Sequence, residues 1–152
     1  MQRKHVFVLL VSIISIIILV SLWVLNIQGE VSVFNGNIPI LEVSTDGFLY
    51  SVNETIKICL KVANPTSSPM TFHFNSGYQF DYTISRGSIV IYRWAADKGF
   101  IQIFTKITIP PHDSIVRCFY HEPQNYFLEL GIYEIHGFLV GYGGDSTTIL
   151  VI

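Results

Sequence analysis

Charge is scarce in this chain. Asp, Glu, Lys and Arg together make up 13% of the residues, where soluble proteins carry roughly a quarter. The net charge is −2, and no basic patch or stripe interrupts the sequence, which argues against a nucleic-acid partner. Beyond residue 37 there is no helical period longer than a turn or two and no internal repeat, so a parallel βαβ fold is not expected. Metal-ligand spacings are also missing. His5, His112 and His136 are scattered, and there is no paired C-x-x-C. Asn75-Ser76-Gly77 is not a G-x-S-x-G elbow, and no Lys-Ser/Thr follows Gly141-Tyr142-Gly143-Gly144. Asp81, Asp97, Asp113 and Asp145 cannot be paired from spacing and read as solvated or turn residues. Nothing marks an enzyme or a cofactor site.

What the chain does have begins with an apolar run. Gln2-Arg3-Lys4-His5 is a short basic leader, and Val6 to Leu25 follows without a charge, broken only by Ser12, Ser15 and Ser21. About twenty residues at ~1.5 Å each span roughly 30 Å, the thickness of a bilayer core. Trp23 suits the headgroup layer at the far end. A cleaved signal peptide is the competing reading, but the run exceeds the usual h-region and Leu25 to Gly29 lacks a small-x-small site. The positive-inside rule keeps the N-terminus in the cytoplasm and sends the remainder across. The expected organisation is a cytoplasmic tail over residues 1–5, a signal-anchor helix over 6–26, a linker over 27–37 and a domain over 38–152.

That domain reads as all-β. The composition includes 11 Phe and 8 Tyr, with many Ile, Val and Thr, as strands prefer. Ile56, Ile58, Leu60 and Val62 alternate with Lys57, Cys59 and Lys61, the pattern of a half-buried strand over Thr55 to Ala63. Further strands are expected over Ile38–Val43, Met70–Phe74, Tyr78–Ser85, Ile89–Trp94, Phe100–Ile109, Ser114–His121, Gly131–Tyr142 and Thr147–Ile152. Close spacing of turn residues between them suggests a sandwich or barrel. Ala95 to Gly99 is left as a loop or a single helical turn.

Cys59 and Cys118 are the two cysteines. Outside the cytoplasm a pair invites a disulfide, which would lie across the outer surface of one sheet if the two strands are neighbours. The alternative is two separate thiols. A copper site is a remote alternative: Cys118, His121, Gln124 and His73 offer the ligand types, though no Met lies nearby.

Two segments carry a resemblance. Phe74 to Ile84 reads F-N-S-G-Y-Q-F-D-Y-T-I, and Ile91 to Gln102 reads I-Y-R-W-A-A-D-K-G-F-I-Q. Together they resemble the BsuPI-type intracellular proteinase inhibitor family. Ser76, Gly77, Phe80 and Asp81 match its S-G-x-x-[FY]-D segment. Trp94, Phe100 and Gln102 match the next segment, and Gly131, Tyr133 and Gly137 the late part. Tyr92 and Ala95 depart from it, standing where the family often has Trp and Ser. The resemblance implies an immunoglobulin-like antiparallel β-sandwich that binds and inhibits a serine proteinase.

Each matching residue also has a structural reading. Trp94, Phe100 and Tyr133 are expected to fill the core between sheets. Asp81 is expected to bond backbone amides or Arg93 and so hold a loop in shape. Gly77, Gly99, Gly131 and Gly137 are expected where φ is positive or backbones approach closely. Ala95, Ala96, Asp97, Lys98 and Gly99 form the expected partner-contact loop.

The functional expectation is a non-enzymatic, membrane-tethered binding domain, a proteinase inhibitor by resemblance. A structural or assembly subunit of a cell-envelope complex is the alternative, and a copper electron-transfer domain the remote one. The expected partner is a protein, a serine proteinase or an envelope component, together with the membrane through the N-terminal helix.

Overall fold

A computed structural model describes residues 38–152. The expected tail, anchor helix and linker lie outside the described residues, and no helix among the described residues is long and apolar enough to cross a membrane. The elements are β1 (Ile40–Thr45), β2 (Leu49–Tyr50), β3 (Ile56–Ala63), β4 (Met70–Phe74), β5 (Phe80–Arg86) and β6 (Ile89–Arg93). A one-turn 3-10 helix (Trp94–Asp97) precedes β7 (Thr105–Ile109), β8 (Ser114–His121), β9 (Gly131–Leu139) and β10 (Gly143–Val151).

Alternation decides how these strands assemble. In β3 the side chains of Ile56, Ile58, Leu60 and Val62 are all buried, while Lys57, Cys59 and Lys61 face outward. β3 is the centre of a three-stranded antiparallel sheet in the order β1-β3-β8. Against it lies a five-stranded sheet in the order β2-β10-β9-β5-β6, whose buried contributions include Tyr82, Ile84, Tyr133, Ile135, Leu139, Ile149 and Val151. The pair β4-β7 adds Phe72, Phe74 and Ile109 to the same core. The result is an all-β, sandwich-like domain. Each buried Ile or Leu would cost about 2–5 kcal/mol on truncation to Ala.

The sheets meet closely at β9. A Cβ on Gly137 would stand 2.8 Å from Val43 Cγ2, so only glycine lets β1 and β9 approach this far. Asp145 joins the same two layers by accepting a hydrogen bond from the Val43 N–H at 3.0 Å. It is therefore a tie within the fold rather than the solvated turn residue expected. A second tie forms where the chain passes from β1 to β2. The buried Tyr50 hydroxyl donates to Asp46 Oδ1 at 2.8 Å and accepts from the Gly47 N–H at 2.7 Å. β2 then pairs parallel to β10, an exception in an otherwise antiparallel sheet.

Several strand boundaries move by one to three residues from expectation, and three places differ more. β2 is two residues long and carries too little pattern to be read from sequence. β10 starts at Gly143, four residues early, because its pairing with β9 continues to Gly143↔Leu139. The expected strand Phe100–Ile109 is a strand only from Thr105. Residues 98–104 form an irregular loop. Ile103 and Phe104 are adjacent apolar residues, which breaks the period of two before the strand begins.

Candidate functional site

β5 sends Tyr82 and Ile84 inward, so Asp81 projects from the outer face of the five-stranded sheet. It is nevertheless 0% exposed. A buried carboxylate needs its oxygens fully bonded, and four donors do this. Oδ1 accepts the N–H of Tyr82 at 2.8 Å and of Ala95 at 3.1 Å. Oδ2 accepts Arg93 Nε at 2.7 Å and the Tyr78 hydroxyl at 2.5 Å. Arg93 Nη2 also donates to the Tyr78 oxygen at 2.6 Å. Burial, and then the bond to Asp81, hold the Tyr78 hydroxyl above its ordinary pKa. Through this one carboxylate β5, β6, the start of the 3-10 helix and the β4–β5 connection are fixed together.

Aromatic side chains extend the brace. Trp94 packs edge-on against Phe119 at 4.9 Å between centroids, and Phe100 lies 4.7 Å from Tyr78 and 6.0 Å from Trp94. Lys98 Nζ sits 5.0 Å above the Trp94 ring, a cation–π contact. Trp94 is half-buried against the edge of the core, and Phe100 is half-buried against Tyr78 and Trp94 outside it, so neither is central to the core as expected. Tyr133 is buried in the core, with its hydroxyl donating to the Glu129 carbonyl at 2.9 Å.

The loop over residues 98–104 stands on this brace. Its near side is held at Ile101, whose carbonyl accepts the Gly77 N–H at 2.9 Å. Its far side is held at Thr105, whose hydroxyl donates to the Ser76 carbonyl at 2.7 Å and accepts from Gln79 Nε2 at 2.9 Å. Gln102 Nε2 donates to the Phe100 carbonyl at 2.9 Å, a bond within the loop itself. A Cβ on Gly77 would stand 2.9 Å from Ile101 Cγ2, so a larger residue at this crossing would displace the Ile101 side chain. Between the two anchors, large apolar side chains face solvent: Ile101 is 63% exposed, Ile103 53% and Phe104 87%.

The expected contact loop, Ala95 to Gly99, runs from the 3-10 turn into this loop and shares Lys98 and Gly99 with it. Ala95 is tied to Asp81 inside the 3-10 turn, and Ala96, Asp97, Lys98 and Gly99 are exposed. Gly99 has neither positive φ nor any atom within 4 Å of a built Cβ, contrary to expectation. Gly131 has φ +154°, and a Cβ built on it would stand 3.1 Å from Arg86 Nη2. Ser76, Gly77, Phe80, Asp81, Trp94, Phe100 and Gln102 gather around or beneath the loop, whereas Gly131, Tyr133 and Gly137 belong to β9.

The cysteines and the copper reading resolve together. Cys59 and Cys118 are direct cross-strand partners on the outer face of β3 and β8 and form a disulfide. Cys118 therefore offers no thiolate. His121 points the other way, into the core, where Nδ1 meets the Tyr82 hydroxyl at 3.2 Å and Nε2 the Tyr126 carbonyl at 3.0 Å. A carbonyl can only accept, so Nε2 carries the proton and Tyr82 donates to Nδ1. Both ring nitrogens are satisfied in the neutral form, and burial holds the pKa of His121 below its ordinary value. His73 lies in β4, where the Tyr142 hydroxyl bonds its N–H and carbonyl. Among the described residues no three His, Cys, Asp or Glu side chains gather as metal ligands.

Two shallow depressions flank the loop's anchor segment. One, of about 110 Å³, is walled by Phe80, Trp94, Phe100 and Phe119 with Arg117 and Gln79. The other, of about 430 Å³, runs between His73–Tyr78 and Val140–Tyr142. Neither is lined by paired carboxylates, and in the larger one, which His73 and Ser76 both line, the Ser76 hydroxyl accepts the Tyr78 N–H and is not bonded to His73.

A family model described as BsuPI, intracellular proteinase inhibitor, matches residues 43–143. The chain belongs to the BsuPI family. The match begins inside β1 and ends at the first residue of β10, so it takes in the Asp81 cluster and the whole of the loop over residues 98–104. No curated protein matches the chain. Among solved structures, a cycloisomaltooligosaccharide glucanotransferase of Paenibacillus sp. is similar over 73% of this chain and 14% of its own, at 17% identity and TM-score 0.50. A β-glucosidase of Erythrobacter marinus is similar over 75% of this chain and 16% of its own, at 15% identity and TM-score 0.46. A CARDB domain of a Pyrococcus furiosus protein, in complex with di-metal ions, is similar over 81% of this chain and 97% of its own, at 13% identity and TM-score 0.42. This BsuPI chain thus spans only 14–16% of the two carbohydrate-active enzymes. At such identities the glucanotransferase likeness speaks to fold alone.

Proposed function

We propose that this BsuPI-family chain is a non-enzymatic proteinase-binding domain, tethered to the membrane by residues 6–26 and working outside the cytoplasm. The family match over residues 43–143 carries the reading. The braced, apolar loop supports it physically. A rigid loop loses little conformational entropy on entering a cleft, so more of its contact energy remains as affinity. The Cys59–Cys118 bond supports the location, because disulfides persist in oxidising compartments and are rare in the cytosol. The length and charge flanks of the N-terminal apolar run support the tether. With that topology the target differs from the cytoplasmic proteinases that the family's description suggests.

The test is direct. The full chain, purified in mild detergent, is incubated with a panel of serine proteinases, subtilisin-like enzymes among them. Inhibition with complex formation is expected; no inhibition and no complex at micromolar protein sinks the reading. Topology is read separately, by attacking intact spheroplasts with a non-specific protease. The domain is expected to be digested from outside while a cytosolic marker survives.

A further inference from the structure

Among the exposed large apolar side chains of the described residues, Phe104 is the least covered, at 87%. It is also the last residue of the irregular loop over residues 98–104, which is anchored on both sides. The Ile101 carbonyl is held by Gly77, and Thr105, its direct neighbour, by Ser76 and Gln79. Gln79, which donates to Thr105, follows Tyr78 directly and precedes Asp81 by two positions, so the anchor adjoins the buried ion cluster along the chain. A solvated phenylalanine in mobile chain would fold back onto the nearest apolar surface. Here the anchors keep the backbone from doing so, and a cleft of about 110 Å³ lined by Phe80, Trp94, Phe100 and Phe119 stays open nearby.

We propose that Phe104 is the specificity-determining residue of the interaction, seated in the deep apolar primary pocket of its target. This rests on the proteinase-binding reading above. Serine proteinases differ in that pocket: some are apolar slots for large side chains, and others hold a buried carboxylate for Lys or Arg. A neutral aromatic side chain fits the first kind and leaves the carboxylate of the second unpaired. No Lys or Arg lies between Phe100 and Thr105 to serve a carboxylate-lined pocket. The target class is therefore a proteinase that prefers large apolar residues, not one that cleaves after basic residues. Ile101 and Ile103 supply flanking contacts.

The experiment uses the full chain in mild detergent against chymotrypsin, subtilisin and trypsin. The native chain is expected to inhibit one or both of the first two and to spare trypsin. Phe104→Ala is expected to raise the inhibition constant by ~100-fold, as a central aromatic anchor does. Phe104→Arg is expected to move inhibition toward trypsin. Ile89→Ala, at the opposite end of β6 and 66% exposed, is expected to leave inhibition unchanged. If the native chain inhibits but Phe104→Ala changes the constant less than twofold, or Ile89→Ala weakens it equally, the assignment of Phe104 is overturned while the inhibitor reading stands. If the native chain inhibits trypsin alone, the target class is overturned. If it inhibits none of the three nor any proteinase of the wider panel, the inhibitor reading fails and takes this proposal with it. Phe104 is solvated, so unchanged thermal unfolding certifies that each variant is folded.

Discussion

The two sheets secure their outer faces by different means. On the three-stranded sheet, β3 and β8 are joined by the Cys59–Cys118 bond, among exposed Lys61, Val116 and Tyr120. On the five-stranded sheet, a fully buried Asp81 gathers Arg93, Tyr78 and two backbone amides. The covalent link closes a long chain loop, 59 residues in sequence, and acts mainly by limiting the unfolded chain. The carboxylate adds little such constraint, but it dictates where the 3-10 turn and the loop after it must stand. One device stabilises the domain as a whole, and the other shapes a particular surface.

That division can be broken. The largest effect is expected from removing the disulfide. Replacing both Cys59 and Cys118 by Ala should cost about 4 kcal/mol on the chain-entropy view. The cost should appear in chemical denaturation, while proteinase binding by the remaining folded protein is unchanged. If binding is lost in step with the bond, the two faces are not independent. Asp81→Ala should cost about 2–3 kcal/mol. That is less than for a fully buried pair, because the Arg93 side chain is half-exposed and regains water. Here binding should fall further than stability does, and Trp94 fluorescence should shift as the 3-10 turn loosens. An unaltered Trp94 signal would refute the role given to Asp81.

His121 lies between the two faces and tests the core they share. Its folded pKa is lowered from 6.5 by burial, so the unfolded chain takes up the proton first. Stability is complete above about pH 6.5 and is lost as pH falls below that value, until the lower folded pKa is reached. The slope from this one group is at most about 1.4 kcal/mol per pH unit. Denaturation midpoints between pH 7.5 and 5.5 should fall for the native chain and much less for His121→Gln. The smallest effect belongs to Phe104→Ser, which should change stability by no more than about 0.5 kcal/mol, since the side chain is solvated. A larger loss would mean the loop is part of the fold and not a surface held out by it.

Much of the architecture was legible in the chain. The alternation in Thr55–Ala63 placed Ile56, Ile58, Leu60 and Val62 inward, because a strand's period of two leaves no other arrangement around one core. The Asp81 partners were partly legible too, since an arginine and backbone amides are natural donors to a carboxylate. Two features were not. Phe100 to Phe104 read as the first half of a strand because Ile101, Gln102 and Ile103 alternate, yet those residues find no partner strand. Asp145 read as a turn residue because its bond to the Val43 N–H spans 102 positions in sequence.

By itself, the sequence determined the all-β class, the inward faces of the long strands and an N-terminal run long enough to span a bilayer. Local pattern suffices there, since strand period and apolar length are properties of consecutive residues. The tertiary structure alone decided that Cys59 stands opposite Cys118, that an outward-facing aspartate is buried, and that the apolar residues after Gly99 are held out in solvent. Those outcomes depend on which distant strands become neighbours, and strand pairing is set by the whole core rather than by any one segment.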